Sequence, residues 1–358
     1  MFLNGMNVLA ANKLFSESQP GQSLIERPLG FIDIGARGGA HDLVEPIAKY
    51  TAVLGFEPDQ EECVRLMKNP DVYQPWANFV LKPVALADKK GEAELKLLSA
   101  STNHSLLSPN VKFTKRYGMT KWEEVGRCQL QTDTLDAVLY SDDMKDFSWG
   151  EFIKIDTQGT EYEILCGSKK VLAQQTLGVV TEVAFCELYQ DQKLFSDVAA
   201  FMRDQGFSFY GFTNLHTRSK KLLNKKSYAT RERLIYTDAI FLKDPLPGGY
   251  VDLISPRGCY ALFVIALLLG FYDYALELAY ATWLLKSDKL EAERIEQLIK
   301  QVSRNCTKKT SADLLQLVNT VKENPEWVNV AVGGFVDKRR PYCDYDDTLN
   351  VSPLPKTL

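Results

Sequence analysis

Four acids stand at or near the ends of short apolar runs, and the turns that follow two of them carry glycine. Asp33 follows Phe31-Ile32 and precedes Ile34-Gly35-Ala36-Arg37-Gly38-Gly39. Glu57 closes Val53-Leu54-Gly55-Phe56 and is followed by Pro58. Asp156 closes Phe152-Ile153-Lys154-Ile155 and leads into Thr157-Gln158-Gly159-Thr160-Glu161, while Glu182 stands inside the run 179–183. A glycine-rich turn after a buried strand lets the backbone lie against a ligand, so Gly35, Gly38 and Gly39 are candidates for a cofactor cradle. A dinucleotide site wants glycine at the second position of that turn, to admit a pyrophosphate, and here the position is Arg37. Asp33 would repel a pyrophosphate but suits an ammonium group. A ligand with an amino-acid end and no phosphate fits better, and S-adenosyl-L-methionine is one. An acid such as Glu57, about 20 residues on, can accept hydrogen bonds from both hydroxyls of a ribose.

These residues need a scaffold that delivers strand ends to one crevice. Short β-rich runs alternate with helical spacing from residue 29 to about 244, which predicts an α/β fold: a doubly wound, Rossmann-like, mostly parallel sheet. Strands are expected at 30–34, 51–56, 80–86, 93–98, 128–132, 151–155, 178–183, 208–211 and 238–242, with helices near 41–49, 61–67, 160–173 and 194–205. The runs 91–100 and 127–131 break the alternation and read as an inserted strand pair carrying the loop 99–109. That loop and 110–126 are expected to wall the crevice, with Tyr117 and Trp122 offering aromatic faces there. Pro245-Leu246-Pro247-Gly248-Gly249 reads as a linker. Beyond it, 257–285 and 290–323 follow helical spacing and form a C-terminal all-α appendage. The expected division is a preface over 1–28, a catalytic domain over 29–245, helices over 250–330 and an extended tail over 331–358.

The acids, glycines and spacing together resemble the FkbM family of S-adenosylmethionine-dependent methyltransferases, over about residues 29–242. The matching residues are Asp33-Ile34-Gly35-Ala36-Arg37-Gly38-Gly39, Phe56-Glu57-Pro58, Val84-Ala85-Leu86-Ala87-Asp88 with Gly91, Ser105-Leu106-Leu107, Thr134-Leu135-Asp136, and Lys154 to Glu161 with Leu165 and Gly167. The resemblance implies a class I methyltransferase fold and a cofactor site at Asp33, Gly35, Ala36, Arg37, Gly38, Gly39, Glu57 and Ala85. It also implies methyl transfer to a hydroxyl of a sugar, a glycan or a related natural product. Such a hydroxyl needs a base as the bond forms; Asp156 or His104 is expected in that role, with Glu182 holding the hydroxyl or orienting the base. Relatives often carry Glu where Gln158 stands, and His104 occupies a place where they carry a small residue.

Bulk properties narrow the classes. Across 358 residues the net charge is −4, and no stretch is basic enough for a nucleic-acid footprint. A local stripe of Arg218, Lys220, Lys221, Lys225 and Lys226 reads as a solvated loop. Seven scattered cysteines form no Cys-x-x-Cys pair, so neither a cysteine metal motif nor a disulfide framework is expected, and a cytoplasmic setting fits. Two carboxylates, Asp156 and Glu182, are the one pair that could hold a divalent metal, with no clear third ligand. The apolar run 261–269 is too short to span a bilayer and reads as a buried helix. The expected partner is a small-molecule or glycan acceptor, and the C-terminal helices could also mediate a homo-oligomer. Two other readings are a nicotinamide-dependent oxidoreductase on the same fold and a non-catalytic methyltransferase-like scaffold. Arg37 and the lack of a Tyr-x-x-x-Lys pair near the crevice argue against the first; intact acids and glycines argue against the second.

Overall fold

The computed structural model describes residues 3, 5–144, 149–251 and 254–339. Most of the expected tail, 340–358 with Cys343, lies outside the described residues.

Eleven strands carry the fold among the described residues: β1 (Leu29–Ile34), β2 (Thr51–Phe56), β3 (Asn78–Lys82), β4 (Ala85–Leu86), β5 (Gly91–Leu98), β6 (Glu124–Asp133), β7 (Phe152–Ile155), β8 (Gly178–Ala184), β9 (Ser208–Phe212), β10 (His216–Arg218) and β11 (Arg233–Leu242). Eight of them form one sheet in the order β10-β11-β8-β7-β1-β2-β3, with β9 also on β11. The five strands from β8 to β3 run parallel, and β11 is antiparallel to β8. This is the mostly parallel, doubly wound sheet that the alternation predicts. The expected strand 80–86 is instead two, because Pro83 can neither donate to the ladder nor continue the strand direction. β3 stays in the main sheet, and β4 pairs with β6 in a second sheet ordered β4-β6-β5. That second sheet is the inserted pair, β5 lying antiparallel to β6.

Side-chain alternation gives the main sheet two faces. Ile32, Ile34, Leu54, Ile153, Ile155, Val179, Val183, Ala239 and Phe241 meet one core, which includes Leu135, Ile164, Leu172, Val198 and Met202 from the helices. Phe31, Val53, Phe152, Val180, Ile240 and Leu242 meet the other. This second face is covered from both ends of the chain. The region expected as helix 41–49 is an irregular 3-10 stretch, Asp42–Tyr50, because Pro46 interrupts it and Ile47 leaves helical geometry. Phe15 and Leu24 of the N-terminal segment join it, and so does the helix Pro256–Leu268. That helix is apolar on every side and is buried from Gly258 to Leu268 except at Tyr260. Each buried Leu, Ile, Val or Phe there contributes roughly 1.5–3 kcal/mol. The C-terminal part is helical as expected, and its first helix lies directly on the sheet.

Helix Tyr272–Thr282 follows, then the 35-residue helix Lys289–Glu323, whose first half packs through Ile295, Leu298, Ile299 and Val302. Residues 331–339, expected as extended, belong to the helix Val328–Arg339. Its run of valines and glycines favours other backbone states by intrinsic propensity, which hides it from sequence reading.

Candidate active site

The parallel strands end together, and their terminal side chains meet at one edge of the sheet. In register, Asp33 lies opposite Lys154 and Asp238 opposite Glu182. Alternation puts these four on the face occupied lower down by Phe31, Phe152, Val180 and Ile240. Charge therefore replaces hydrocarbon at the strand ends, where open α/β sheets bind ligands.

The turn after β1 shows why glycine is needed. Gly35 has φ +92°, and a Cβ there would strike the Asp156 carbonyl oxygen. The Gly35 and Ala36 amides both donate to the Phe56 carbonyl, at 3.0 Å each, which locks the turn against the end of β2. Beyond this turn opens a cavity of about 930 Å³. Of the residues expected at the cofactor, Gly35, Arg37, Glu57 and Ala85 line it, with His104 and Asp156. Asp33, Ala36, Gly38 and Gly39 do not. Asp33 is buried, and its Oδ2 accepts from the His41 amide at 2.8 Å, so it braces the segment behind the turn. Burial pushes its carboxyl above the ordinary value, against the lowering effects of His41 and Lys154.

Glu57 faces the cavity with Oε1 held by the Asp59 amide at 2.9 Å. Opposite the main sheet, the wall is made by the inserted sheet through Leu95, Leu97, Cys128 and Leu130. His104 is pinned: its Nδ1 accepts from the Leu98 amide at 3.0 Å. Burial lowers its pKa, and the neutral ring then carries its proton on Nε2, as a donor.

A second cavity, of about 400 Å³, lies beside the first. Glu182, Trp122, His216, Arg218, Tyr236 and Asp238 line it. Thr102, Asp156 and Gln158 line both cavities, so the two meet at Asp156. Trp122 is where the loop reading places it, while Tyr117 stacks on Phe113 at 4.8 Å and does not line either cavity.

At the junction Gln158 has φ +60°, a left-handed conformation that costs about 1–2 kcal/mol outside glycine. Ser105 Oγ donates to its carbonyl at 2.7 Å, and Tyr189 donates to its Oε1 at 3.1 Å. Its Nε2 in turn donates to Asp156 Oδ1 at 2.9 Å. The Gln158 side chain, held by Tyr189, thereby sets the direction of the Asp156 carboxylate. The inverted backbone also turns the chain towards Gly159, whose neighbour Glu161 folds back beneath it.

Glu161 is a residue that sequence reading did not single out for a role. It is buried, and its carboxylate accepts from the amides of Thr157 and Gly159 at 2.9 and 3.1 Å. Oxygens of Asp156, Glu161 and Glu182 all lie within 4.8 Å of one another, close enough to hold a cation between them. Burial raises the Glu182 carboxyl well above its ordinary value, and Asp156, Glu161 and Asp238 add to the rise. Glu161 is raised by burial and by Asp156. Lys154 supplies the opposing charge, its Nζ donating to Asp238 Oδ1 at 3.1 Å and lying 3.9 Å from Asp156 Oδ2. Burial would lower the lysine, but Asp238, Asp156 and Glu182 outweigh it and hold the ammonium above its usual value.

Residues 33–209 match the Methyltransferase FkbM domain. Over these residues the chain carries an FkbM methyltransferase domain. No curated protein matches the chain. Among solved structures, the chain is similar to a methyltransferase FkbM from Methylobacillus flagellatus KT, at 11% identity and TM-score 0.31, over 59% of this chain and 43% of that one. It thus spans less than half the length of that protein. Likeness extends to a magnesium protoporphyrin IX methyltransferase from Synechocystis PCC 6803 with bound SAM, at 9% identity and TM-score 0.29, over 63% and 76% of the two chains. A putative tRNA (m1A22) methyltransferase from Streptococcus pneumoniae is similar at 10% identity and TM-score 0.31, over 80% and 98%. The family assignment rests on the domain match.

The FkbM match contains Asp33, Glu57, His104, Asp156 and Glu182, but ends before β10 and β11. His216, Arg218, Tyr236 and Asp238, the far wall of the smaller cavity, lie outside it. Sequence reading had marked only Arg218 among them, as part of a basic stripe.

Proposed function

We propose that this methyltransferase moves the methyl group of S-adenosyl-L-methionine to a hydroxyl of a sugar, a glycan or a related natural product. One observation carries the reading: a large cavity with a ribose-type acid and a small cavity rich in acids and aromatics meet at Asp156. The larger space suits a nucleoside-sized ligand. Glu57 would hold the ribose hydroxyls there, and Phe56, Leu95, Leu97 and Leu130 offer an apolar slot for a flat base. When bound, the cofactor supplies a methyl group activated by a sulfonium.

The acceptor belongs in the smaller cavity. Trp122 gives a face on which a sugar ring can stack, and Arg218 and His216 offer polar contacts. Asp156, aimed by Gln158, orients the acceptor hydroxyl across the junction and is the base that draws its proton. Glu182, with its raised proton affinity, is the neighbouring group to which that proton can pass. His104 faces the cofactor side as a donor. Holding both reactants in line can supply about 7–11 kcal/mol of the barrier reduction. The catalytic unit is the span 29–245, and the unpaired thiols suit a reducing cytoplasm.

Calorimetry with S-adenosylmethionine and with NAD, on the native chain and on Glu57→Ala, tests the cofactor. Binding of S-adenosylmethionine alone, weakened in the variant, is expected; binding of NAD instead would sink the reading. Labelled methyl transfer to a panel of hydroxylated sugars then tests the acceptor class. Cofactor binding with no transfer to any of them would leave methyl transfer to a hydroxyl unsupported and favour a different acceptor atom.

A further inference from the structure

The protein carries a net charge of −4, yet residues 218–233 hold seven cations against one acid, Glu232. This segment is the loop between β10 and β11, and it begins where the smaller cavity ends, at His216 and Arg218. Its tip does not look like an ordinary solvated loop. Leu222 is 87% exposed, Leu223 51% and Tyr228 59%, and lysines at 220, 221, 225 and 226 flank the two leucines. Solvent alone gives no reason to hold two adjacent leucines outward at the tip of a basic loop.

The loop is also shaped. Glu232 ties its two ends together, accepting from Thr217 Oγ1 at 3.0 Å and Ser219 Oγ at 2.6 Å and pairing with Lys225 at 2.8 Å. The Ser227 and Tyr228 amides donate to the Asn224 carbonyl, which closes a turn at the tip. Lys226 Nζ sits 3.5 Å over the ring of Trp327, an exposed residue from the C-terminal helices, so the loop leans on a second partly exposed apolar side chain.

We infer that this loop, with Trp327, docks the protein on an anionic lipid surface. Basic side chains around projecting leucines and aromatics match what such a surface offers: negative headgroups at the level of the lysines and hydrocarbon just beneath. A nucleic acid would satisfy the lysines but leave Leu222 and Leu223 in water. Docking here would bring the mouth of the smaller cavity to the headgroup layer, where a hydroxylated headgroup or a lipid-linked glycan would be within reach. Docking itself does not depend on the methyl-transfer reading, because it can be measured without turnover.

Flotation of the full chain with vesicles provides the test. Vesicles of phosphatidylcholine alone should leave the protein in solution. Equal parts of phosphatidylcholine and phosphatidylglycerol should carry it, and added salt should release it. Lys220→Gln with Lys221→Gln should weaken partitioning by about thirtyfold, taking about fivefold for each basic residue near the surface. Leu222→Ser with Leu223→Ser should weaken it by about tenfold or more with all lysines kept. All four residues are solvent-facing loop positions, so circular dichroism and S-adenosylmethionine binding should stay unchanged in both variants. No flotation with phosphatidylglycerol overturns the inference. Flotation that the leucine pair does not alter, with equal capture on heparin, overturns it in favour of a general polyanion site.

Discussion

At one end of β7, Glu151 accepts from Arg27, from Nε and Nη2 of Arg257, and from the Gly30 amide, all between 2.9 and 3.1 Å. Two cations and an amide answer one carboxylate. At the other end of the same strand, Lys154 is the buried cation among Asp33, Asp156, Glu161, Glu182 and Asp238. Both groups of charges cost desolvation, but only in the first do cations fully answer the acid. A balanced cluster fixes geometry: it clamps the N-terminal segment, the sheet and the helix Pro256–Leu268 together. An unbalanced one raises proton affinities and leaves carboxylates with unmet demand, which is what an acceptor site needs.

Three substitutions would break or sharpen that contrast. The largest effect is expected at the unbalanced end. Asp156→Asn should lower methyl transfer by about 10²–10⁴-fold, with S-adenosylmethionine binding kept in calorimetry. A near-normal rate would remove Asp156 from the chemistry and the contrast with it. Next comes Glu151→Gln, which leaves the half-buried Arg257 without its carboxylate partner and should cost about 3 kcal/mol in urea unfolding. A loss below about 1 kcal/mol would mean that the balanced cluster is ornamental.

The smallest effect is the most discriminating. The Glu182 carboxyl is raised in the folded state, so its contribution to stability is full below the ordinary glutamate range and is lost as pH climbs through its raised value. Glu182→Gln should remove that loss. The variant should then be more stable than the native chain at neutral and alkaline pH, by roughly 1 kcal/mol, while turning over more slowly. Thermal unfolding across pH checks it; a variant less stable at every pH would show that the acid is structural.

Much of this was legible in the sequence because it depends on local rules. Apolar runs ending in acids gave β1, β2, β7 and β8 and the crevice side chains. The failure of alternation after residue 90 marked the inserted β5–β6 pair. What stayed hidden depends on contacts distant in sequence. Glu161 looks like any acid in a first helical turn, and only the backbone inversion at Gln158 shows why it is buried. The acceptor of the Leu98 amide is a ring nitrogen six residues on, and this sets what His104 can offer. His216 and Tyr236 reach the site because β10 and β11 pair antiparallel at the sheet edge, a register that no local pattern encodes. Asp33 keeps the expected place on its strand but points to the His41 amide and away from the cavity.

The placement of Pro256–Leu268 on the sheet has a consequence for how the protein is made. A ribosome that has released the first 250 residues has delivered all eleven strands of the described residues, yet the face carrying Phe31, Phe152, Val180 and Ile240 is still missing part of its cover. The nascent chain must therefore wait, with an apolar surface open, until the next helix emerges, and in that interval it is a natural client for chaperones. A fragment ended at residue 250 should accumulate as aggregate despite containing the whole sheet and both cavity linings, and a soluble, cofactor-binding fragment would contradict this. In birth order the C-terminal helices come after the residues that line both cavities, and those residues are expected to settle only once the helices have packed.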